Sequence, residues 1–175
     1  MEPRITGIPT FNGERPDMND SDTGPTRKVL AISSGGGHWI QLCRVLPAIE
    51  QNEVVLATVQ TDATAPIEPV RRYAVPDATR KTPLRLVWLT IKVLYIILRE
   101  RPMVVMSTGA APGLLALTIA KRLRPATRTI WLDSIANAEK LSLSGEKAGR
   151  VADLWLTQWE HLERPDGPEF KGTVL

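Results

Sequence analysis

The chain has 175 residues, of which 43% are hydrophobic and 23% charged, and this is enough for one domain with a buried core. These values exclude a fibrous repeat and a chain that is disordered throughout. The single cysteine, Cys43, excludes an internal disulfide and a cysteine-rich zinc site. No stretch has the apolar length of a signal peptide or of a membrane-spanning helix, so we expect a cytoplasmic protein.

The net charge of +3 is distributed unevenly. Residues 1–27 carry more acidic than basic side chains, whereas residues 71–101 contain eight lysines and arginines against two acidic residues. The basic segment predicts an anionic partner. Its charges are interleaved with leucine and isoleucine, which argues against nucleic acid as that partner.

Residues 1–27 are rich in proline and glycine and contain almost no periodic apolar residues. Such a segment buries too little apolar area to offset the entropy of ordering it, so we predict a disordered tail. Asp20 and Asp22 within it match a D-x-D metal motif, which we interpret as a coincidence. The folded domain is predicted to span residues 28–175.

The rest of the chain alternates short apolar runs with helical patterns. Strands are predicted at 28–33, 53–59, 103–107, 128–132 and 153–157, with a further candidate at 73–75 and another beginning near 171–175. Helices are predicted at 39–50, 82–101 and 113–123, and a short one within 136–149. This order indicates βαβ units, and therefore a doubly wound α/β fold with a parallel, Rossmann-like sheet.

The glycine loop at residues 33–38 (SSGGGH) lies between the first strand and the first helix. Glycines at this position let the backbone approach a phosphate, and the helix start offers free N–H groups, so Ser34, Gly35, Gly36 and Gly37 are candidate phosphate-binding residues. A tight turn without a ligand is the alternative. The dinucleotide fingerprint fits poorly, because its third glycine position holds Ile40.

His38 follows the glycines directly. A helix start favours the neutral imidazole, which can accept a proton, so His38 is a candidate general base. A histidine that only caps or packs against the helix is the alternative.

A second loop of small residues follows the strand at 103–107. Ser107, Thr108, Gly109 and Ala110 precede a predicted helix, so they are further candidates for phosphate binding. A compact turn explains this loop equally well when it is considered alone. Two such loops at neighbouring strand ends would form a cradle for two phosphates.

The helix predicted at 82–101 is apolar over residues 86–98 apart from Thr90 and Lys92. It is too short to cross a bilayer, but it fits a helix lying in the membrane surface. The alternative is a core helix that packs on the sheet and exposes its one polar edge to water. The residues predicted to contact the membrane are Arg85, Trp88, Lys92, Tyr95 and Arg99.

Several motifs in a fixed order identify a family resemblance. They are SSGGGHWIQLCRVLP at 33–47, STGAAPG at 107–113, DSIANAEKLSLSG at 133–145, ADLWLTQWEHL at 152–162 and EFKGTVL at 169–175. From residue 28 onwards the chain resembles the Alg-fourteen family, which includes PssD-like exopolysaccharide proteins, and it is distantly similar to the N-terminal domain of MurG.

The resemblance implies the amino-terminal half of a GT-B glycosyltransferase that is split into two subunits. This half would bind a polyprenyl-diphosphate-linked saccharide at the cytoplasmic face of the plasma membrane. A partner subunit would bind the UDP-sugar, with GlcNAc and glucuronic acid both plausible as the sugar. The reaction would be inverting and would need no metal or other cofactor.

The resemblance also implies roles for individual residues. The two small-residue loops would hold the acceptor diphosphate, and Asp133 and Ser134 are candidate acceptor contacts, although family members often carry glutamate where this chain has Asp133. Two other functions stay open, namely a dinucleotide-binding oxidoreductase domain and a non-catalytic membrane adaptor that recruits a glycosyltransferase.

Overall fold

A computed structural model describes residues 26–59, 62, 64–79 and 81–174. Seven strands in this part of the chain form one sheet in the order β3-β2-β1-β4-β5-β6-β7, and every neighbouring pair is parallel. The predicted disordered tail and the Asp20–Asp22 motif lie outside the described residues, apart from residues 26 and 27. The predicted α/β fold with a parallel, Rossmann-like sheet is confirmed.

The strands are β1 (Lys28–Ser33), β2 (Glu53–Thr58), β3 (Arg71–Ala74), β4 (Val104–Ser107), β5 (Arg128–Leu132), β6 (Leu154–Thr157) and β7 (Glu169–Phe170). The α-helices are α1 (Gly37–Val45), α2 (Pro83–Glu100), α3 (Ala110–Leu123) and α4 (Leu143–Ala148), and single 3-10 turns cover Leu46–Ile49 and Glu160–Leu162.

Apolar side chains cover both faces of the sheet. On one face, α1 packs through Trp39 and Leu42 against alternate residues of β1 and β2. On the other face, α2 and α3 pack against the remaining side chains of the same strands, and the fully buried Trp131 lies among them. Burial on both faces explains why these strands are continuous apolar runs rather than alternating ones.

Most predicted elements are present, with shifted ends. Helix α1 begins two residues earlier than expected, and it turns into a 3-10 turn where Pro47 interrupts it. Helix α3 begins at Ala110 rather than at Gly113. The last strand pairs at Glu169–Phe170, slightly before the expected position. Helix α4 is only six residues long, because the segment before it forms an irregular loop.

Candidate functional site

The two small-residue loops lie side by side. Strands β1 and β4 are parallel neighbours, and Ile32 pairs with Ser107, so both strands end at the same edge of the sheet. The strand order reverses between them, since β2 and β3 lie on one side and β5 to β7 on the other. This reversal is where open α/β sheets bind their ligands.

The first loop leaves the start of α1 open. Gly36 precedes the helix with φ of 64°, a conformation that favours glycine, and no side chain caps the helix. A Cβ atom added at Gly37 would meet nothing within 4 Å. Neither conformation nor packing therefore requires glycine at 37, whereas the close approach of a ligand to the uncapped N–H groups would.

The second loop is held by its own hydrogen bonds. The buried Ser107 hydroxyl accepts from the Gly109 N–H at 3.1 Å and donates to the Gly109 carbonyl at 3.3 Å. Helix α3 then begins without a side-chain cap, after Gly109 at φ 138°, and its first residue, Ala110, has a φ of 64°. Any anion here would therefore meet the backbone N–H groups of the helix start rather than the serine hydroxyl.

His38 connects the two loops. Its Nδ1 atom lies 2.9 Å from the Thr108 carbonyl oxygen, and the Thr108 hydroxyl donates to the His38 carbonyl oxygen at 2.7 Å. A Cβ atom at Gly109 would overlap the imidazole, so the ring lies directly against this glycine. Because a carbonyl oxygen can only accept, Nδ1 carries the hydrogen, and a neutral ring then has its free lone pair on Nε2.

Asp133, at the carboxyl end of β5, is engaged within the chain. The residue is 2% exposed, and its carboxylate accepts four hydrogen bonds, from the Trp131 indole, the Asn137 amide, and the Ser142 hydroxyl and N–H. These bonds hold the loop at 134–142 against the sheet. The Ser134 hydroxyl accepts from the Ala136 N–H at 3.3 Å within the same loop.

Helix α2 has apolar residues on two sides. Leu89, Val93, Ile96 and Ile97 are buried in the core, while a second row is about half exposed or more. We call this second row the α2 apolar face; it comprises Leu84, Val87, Trp88, Ile91, Tyr95 and Leu98. One side of the helix therefore packs in the core, as the core-helix alternative expects, while the exposed apolar side leaves contact with a membrane as a prediction.

Basic side chains lie along the α2 apolar face. Lys92 lies 5.4 Å from the centre of the Trp88 ring, and Arg99 lies 5.9 Å from that of Tyr95 and donates to its hydroxyl. Arg85 is exposed near the start of the helix. Within the described residues, no helix is long and apolar enough to span a membrane.

The last turn of α2 is fixed to the sheet by Glu100, whose side chain is 1% exposed. Its carboxylate accepts hydrogen bonds from the Tyr73 hydroxyl, from Arg71 at 2.7 Å and from Lys28 at 3.4 Å. Burial by itself would raise the pKa of Glu100, but the hydrogen bonds from Tyr73 and Arg71 outweigh burial and lower this pKa. The anchor sets the position of the α2 apolar face relative to the sheet.

Comparison with known families decides where the chain belongs. A family model described as "oligosaccharide biosynthesis protein Alg14 like" matches residues 66–174, more than half of the chain. The chain belongs to this family. The resemblance inferred from the sequence motifs is thereby confirmed, and it places this Alg14-like chain in glycosyltransferase-related oligosaccharide biosynthesis. A search of curated proteins gives no significant match.

Solved structures similar to the Alg14-like chain share its fold. MurG of Acinetobacter baumannii matches with a TM-score of 0.62 and 12% identity over 82% of this chain and 45% of MurG. The UDP-N-acetylglucosamine 2-epimerase of Rickettsia bellii matches with a TM-score of 0.62 and 18% identity. The match covers 85% of this chain and 45% of the epimerase. S. aureus MnaA, solved with UDP, matches with a TM-score of 0.54 and 14% identity. The match covers 76% of this chain and 38% of MnaA. The chain thus spans less than half the length of these proteins, and the likeness supports one half of a GT-B fold.

Some contacts in the Alg14-like chain give no signal in its sequence. The Thr108 carbonyl that orients His38 is a backbone atom 70 residues away, so no side-chain pattern reports it. The same holds for Ser142, which lies nine residues beyond Asp133 across an irregular loop. Ligand roles for Ser107, Thr108, Asp133 and Ser134 stay predictions, although the structure gives all four side chains partners within the chain.

Proposed function

We propose that this chain is the acceptor-binding, membrane-associated subunit of a split, inverting UDP-sugar glycosyltransferase. The acceptor would be a polyprenyl-diphosphate-linked saccharide, as in exopolysaccharide or oligosaccharide biosynthesis, at the cytoplasmic face of the plasma membrane. The family membership supports the pathway class, and the likeness to one half of the MurG fold supports the role of an acceptor-binding half. The UDP-sugar would be bound mainly by the partner subunit.

The orientation of His38 is the observation that carries the proposal. In an inverting transfer an acceptor hydroxyl attacks the anomeric carbon, and a base must remove its proton. The Thr108 carbonyl holds the hydrogen of the ring on Nδ1, which leaves Nε2 as the proton acceptor. The ring is half-buried, so its free edge can reach a substrate while the other edge is held by the protein.

The two uncapped helix starts would bind the acceptor diphosphate. Helices α1 and α3 begin beside His38, and both direct free N–H groups and the positive ends of their dipoles to the same edge of the sheet. This arrangement would hold a diphosphate close to the base without a metal ion.

The α2 apolar face would contact the membrane. A soluble monomer rarely exposes such a continuous set of large apolar side chains, and here they are flanked by Arg85, Lys92 and Arg99. Apolar residues inserted between lipid headgroups, with cations beside the phosphates, are typical of helices that lie in the membrane plane.

The test is sugar transfer to lipid-linked acceptor in membranes, with a panel of UDP-sugars that includes UDP-GlcNAc and UDP-glucuronic acid. The chain is assayed alone, with the glycosyltransferase encoded beside it, and that glycosyltransferase is also assayed alone. We expect transfer only when both subunits are present. Transfer by the partner alone would make this chain an adaptor, and NAD(P) binding without transfer would favour the oxidoreductase alternative.

His38→Ala tests the chemistry within the active pair. We expect the rate to fall by about 100-fold or more, the usual contribution of a general base, with partial recovery on addition of imidazole. His161→Ala, which changes an exposed histidine, is the matched control. If the His38→Ala variant together with its partner subunit retains nearly full activity, the role of His38 is structural.

A further inference from the structure

A groove of about 560 Å³ lies at the amino-terminal edge of the sheet, opposite to the two small-residue loops. It is formed by the segment before β1, the start of β4 and the connection from α3 to β5. We call it the arginine groove; its lining residues are Arg27, Pro102, Met103, Val104, Arg124, Pro125, Ala126, Thr127 and Arg128.

Within the part of the chain that the structure describes, the charge of the arginine groove has no acidic counterpart. Arg27, Arg124 and Arg128 are exposed, and none of the lining residues is acidic. Among the described residues, no ion pair involves any of these three arginines. The C-terminus of α3 favours a cation at Arg124, but no helix end accounts for Arg27 or Arg128.

The floor of the groove is apolar and continues from α2. Pro102 and Met103 follow the end of that helix, where Arg101 turns the chain with φ of 49°. Met103 is 54% exposed, and Leu98, the last member of the α2 apolar face, is 55% exposed. Only three residues, 99–101, therefore separate the apolar face from a groove that combines apolar contact with three guanidinium groups without an ion pair among the described residues.

We propose that the arginine groove binds the phosphate of an anionic phospholipid headgroup. Guanidinium groups bind phosphate oxygens in a planar, two-point geometry, and the apolar floor suits the glycerol and the first acyl carbons. The inference rests on the proposed membrane contact of α2, because that contact brings the groove to the lipid surface. The groove then gives the protein a preference for acidic membranes, whereas the α2 apolar face binds any bilayer.

The test is sedimentation of the full chain with vesicles of phosphatidylcholine alone, and with vesicles containing phosphatidylglycerol. The groove variant is Arg124→Gln with Arg128→Gln. The control, Lys140→Gln with Arg164→Gln, removes the same charge from exposed positions outside the groove. Each arginine near an anionic surface contributes about a fivefold gain, so the groove variant should bind acidic vesicles about 25-fold more weakly. Its binding to neutral vesicles should not change.

Four results would overturn the proposal. Unchanged binding of the groove variant to acidic vesicles would remove the site, and an equal loss in the control would make the effect one of net charge. Inorganic phosphate that binds the groove in solution, without any preference of the protein for acidic vesicles, would assign the site to a soluble phosphate. Failure of the unaltered chain to bind either vesicle type would instead contradict the membrane contact of α2, and the groove with it.

Discussion

The four hydrogen bonds of Asp133 predict a large loss of stability when its charge is removed. Asp133→Asn keeps the size of the side chain but replaces one carboxylate oxygen with an NH₂ group. Each oxygen accepts two bonds, so the new group faces two donors whichever way the amide is oriented. The Asn137 amide or the Ser142 hydroxyl can rotate away, whereas the Trp131 indole and the Ser142 N–H cannot.

The size of the effect follows from these contacts. Two hydrogen bonds to a charged acceptor are lost, each contributing about 1.5–3 kcal/mol, and at least one buried donor is left without a partner. We therefore expect the free energy of unfolding to fall by roughly 3–6 kcal/mol, a large part of the 5–15 kcal/mol that is usual for a domain. The melting temperature should fall by about 10 °C.

Chemical unfolding followed by circular dichroism measures this loss, and hydrogen exchange locates it. The Ser142 N–H, which donates to Asp133 at 3.0 Å, should exchange faster in the variant. Asp166→Asn, at an exposed position, serves as the control and should stay within about 0.5 kcal/mol of the unaltered protein. An equally small effect of Asp133→Asn would refute the assignment of Asp133 as the residue that holds the 134–142 loop.

Two further predictions concern Glu100, which fixes the last turn of α2 to the sheet, and the loop glycines Gly109 and Gly37. Because hydrogen bonds lower the pKa of Glu100 in the folded protein, its ionised form stabilises the fold above its unfolded pKa of about 4.3, and this contribution disappears as the pH falls through the lowered value. The difference in free energy of unfolding between the unaltered protein and Glu100→Gln, measured by urea unfolding, should therefore narrow below about pH 4.3. A difference that stays constant with pH would contradict the stabilising role of the Glu100 carboxylate. Gly109→Ala should displace His38 and reduce both stability and sugar transfer, whereas Gly37→Ala should leave the melting temperature unchanged and lower only transfer. Equal melting temperatures for the two variants would refute the close contact at Gly109.

The features predicted correctly are those whose causes are local in sequence. The glycine loop at 33–38 precedes a helix because a buried apolar run ends there and an amphipathic pattern begins. The helix at 82–101 was expected within one residue of its ends, since Pro83 favours a helix start and Pro102 a helix stop. The short strand β7 and the early start of α3 were placed less accurately, because pairing with β6 and packing against His38 define them.

The sequence by itself determined the α/β class, the two candidate loops, His38 as the candidate base and the family, since each depends on residue types and short spacings. Only the tertiary structure decided that β1 and β4 are neighbours, which brings the loops together, and that a backbone carbonyl at Thr108 holds the ring hydrogen of His38 on Nδ1. It also decided that Asp133 is bonded within the chain and that three arginines from separate segments line one groove. These features depend on residues that are distant in the chain, on backbone atoms or on strand order. None of these can be inferred from the pattern of side chains along the sequence.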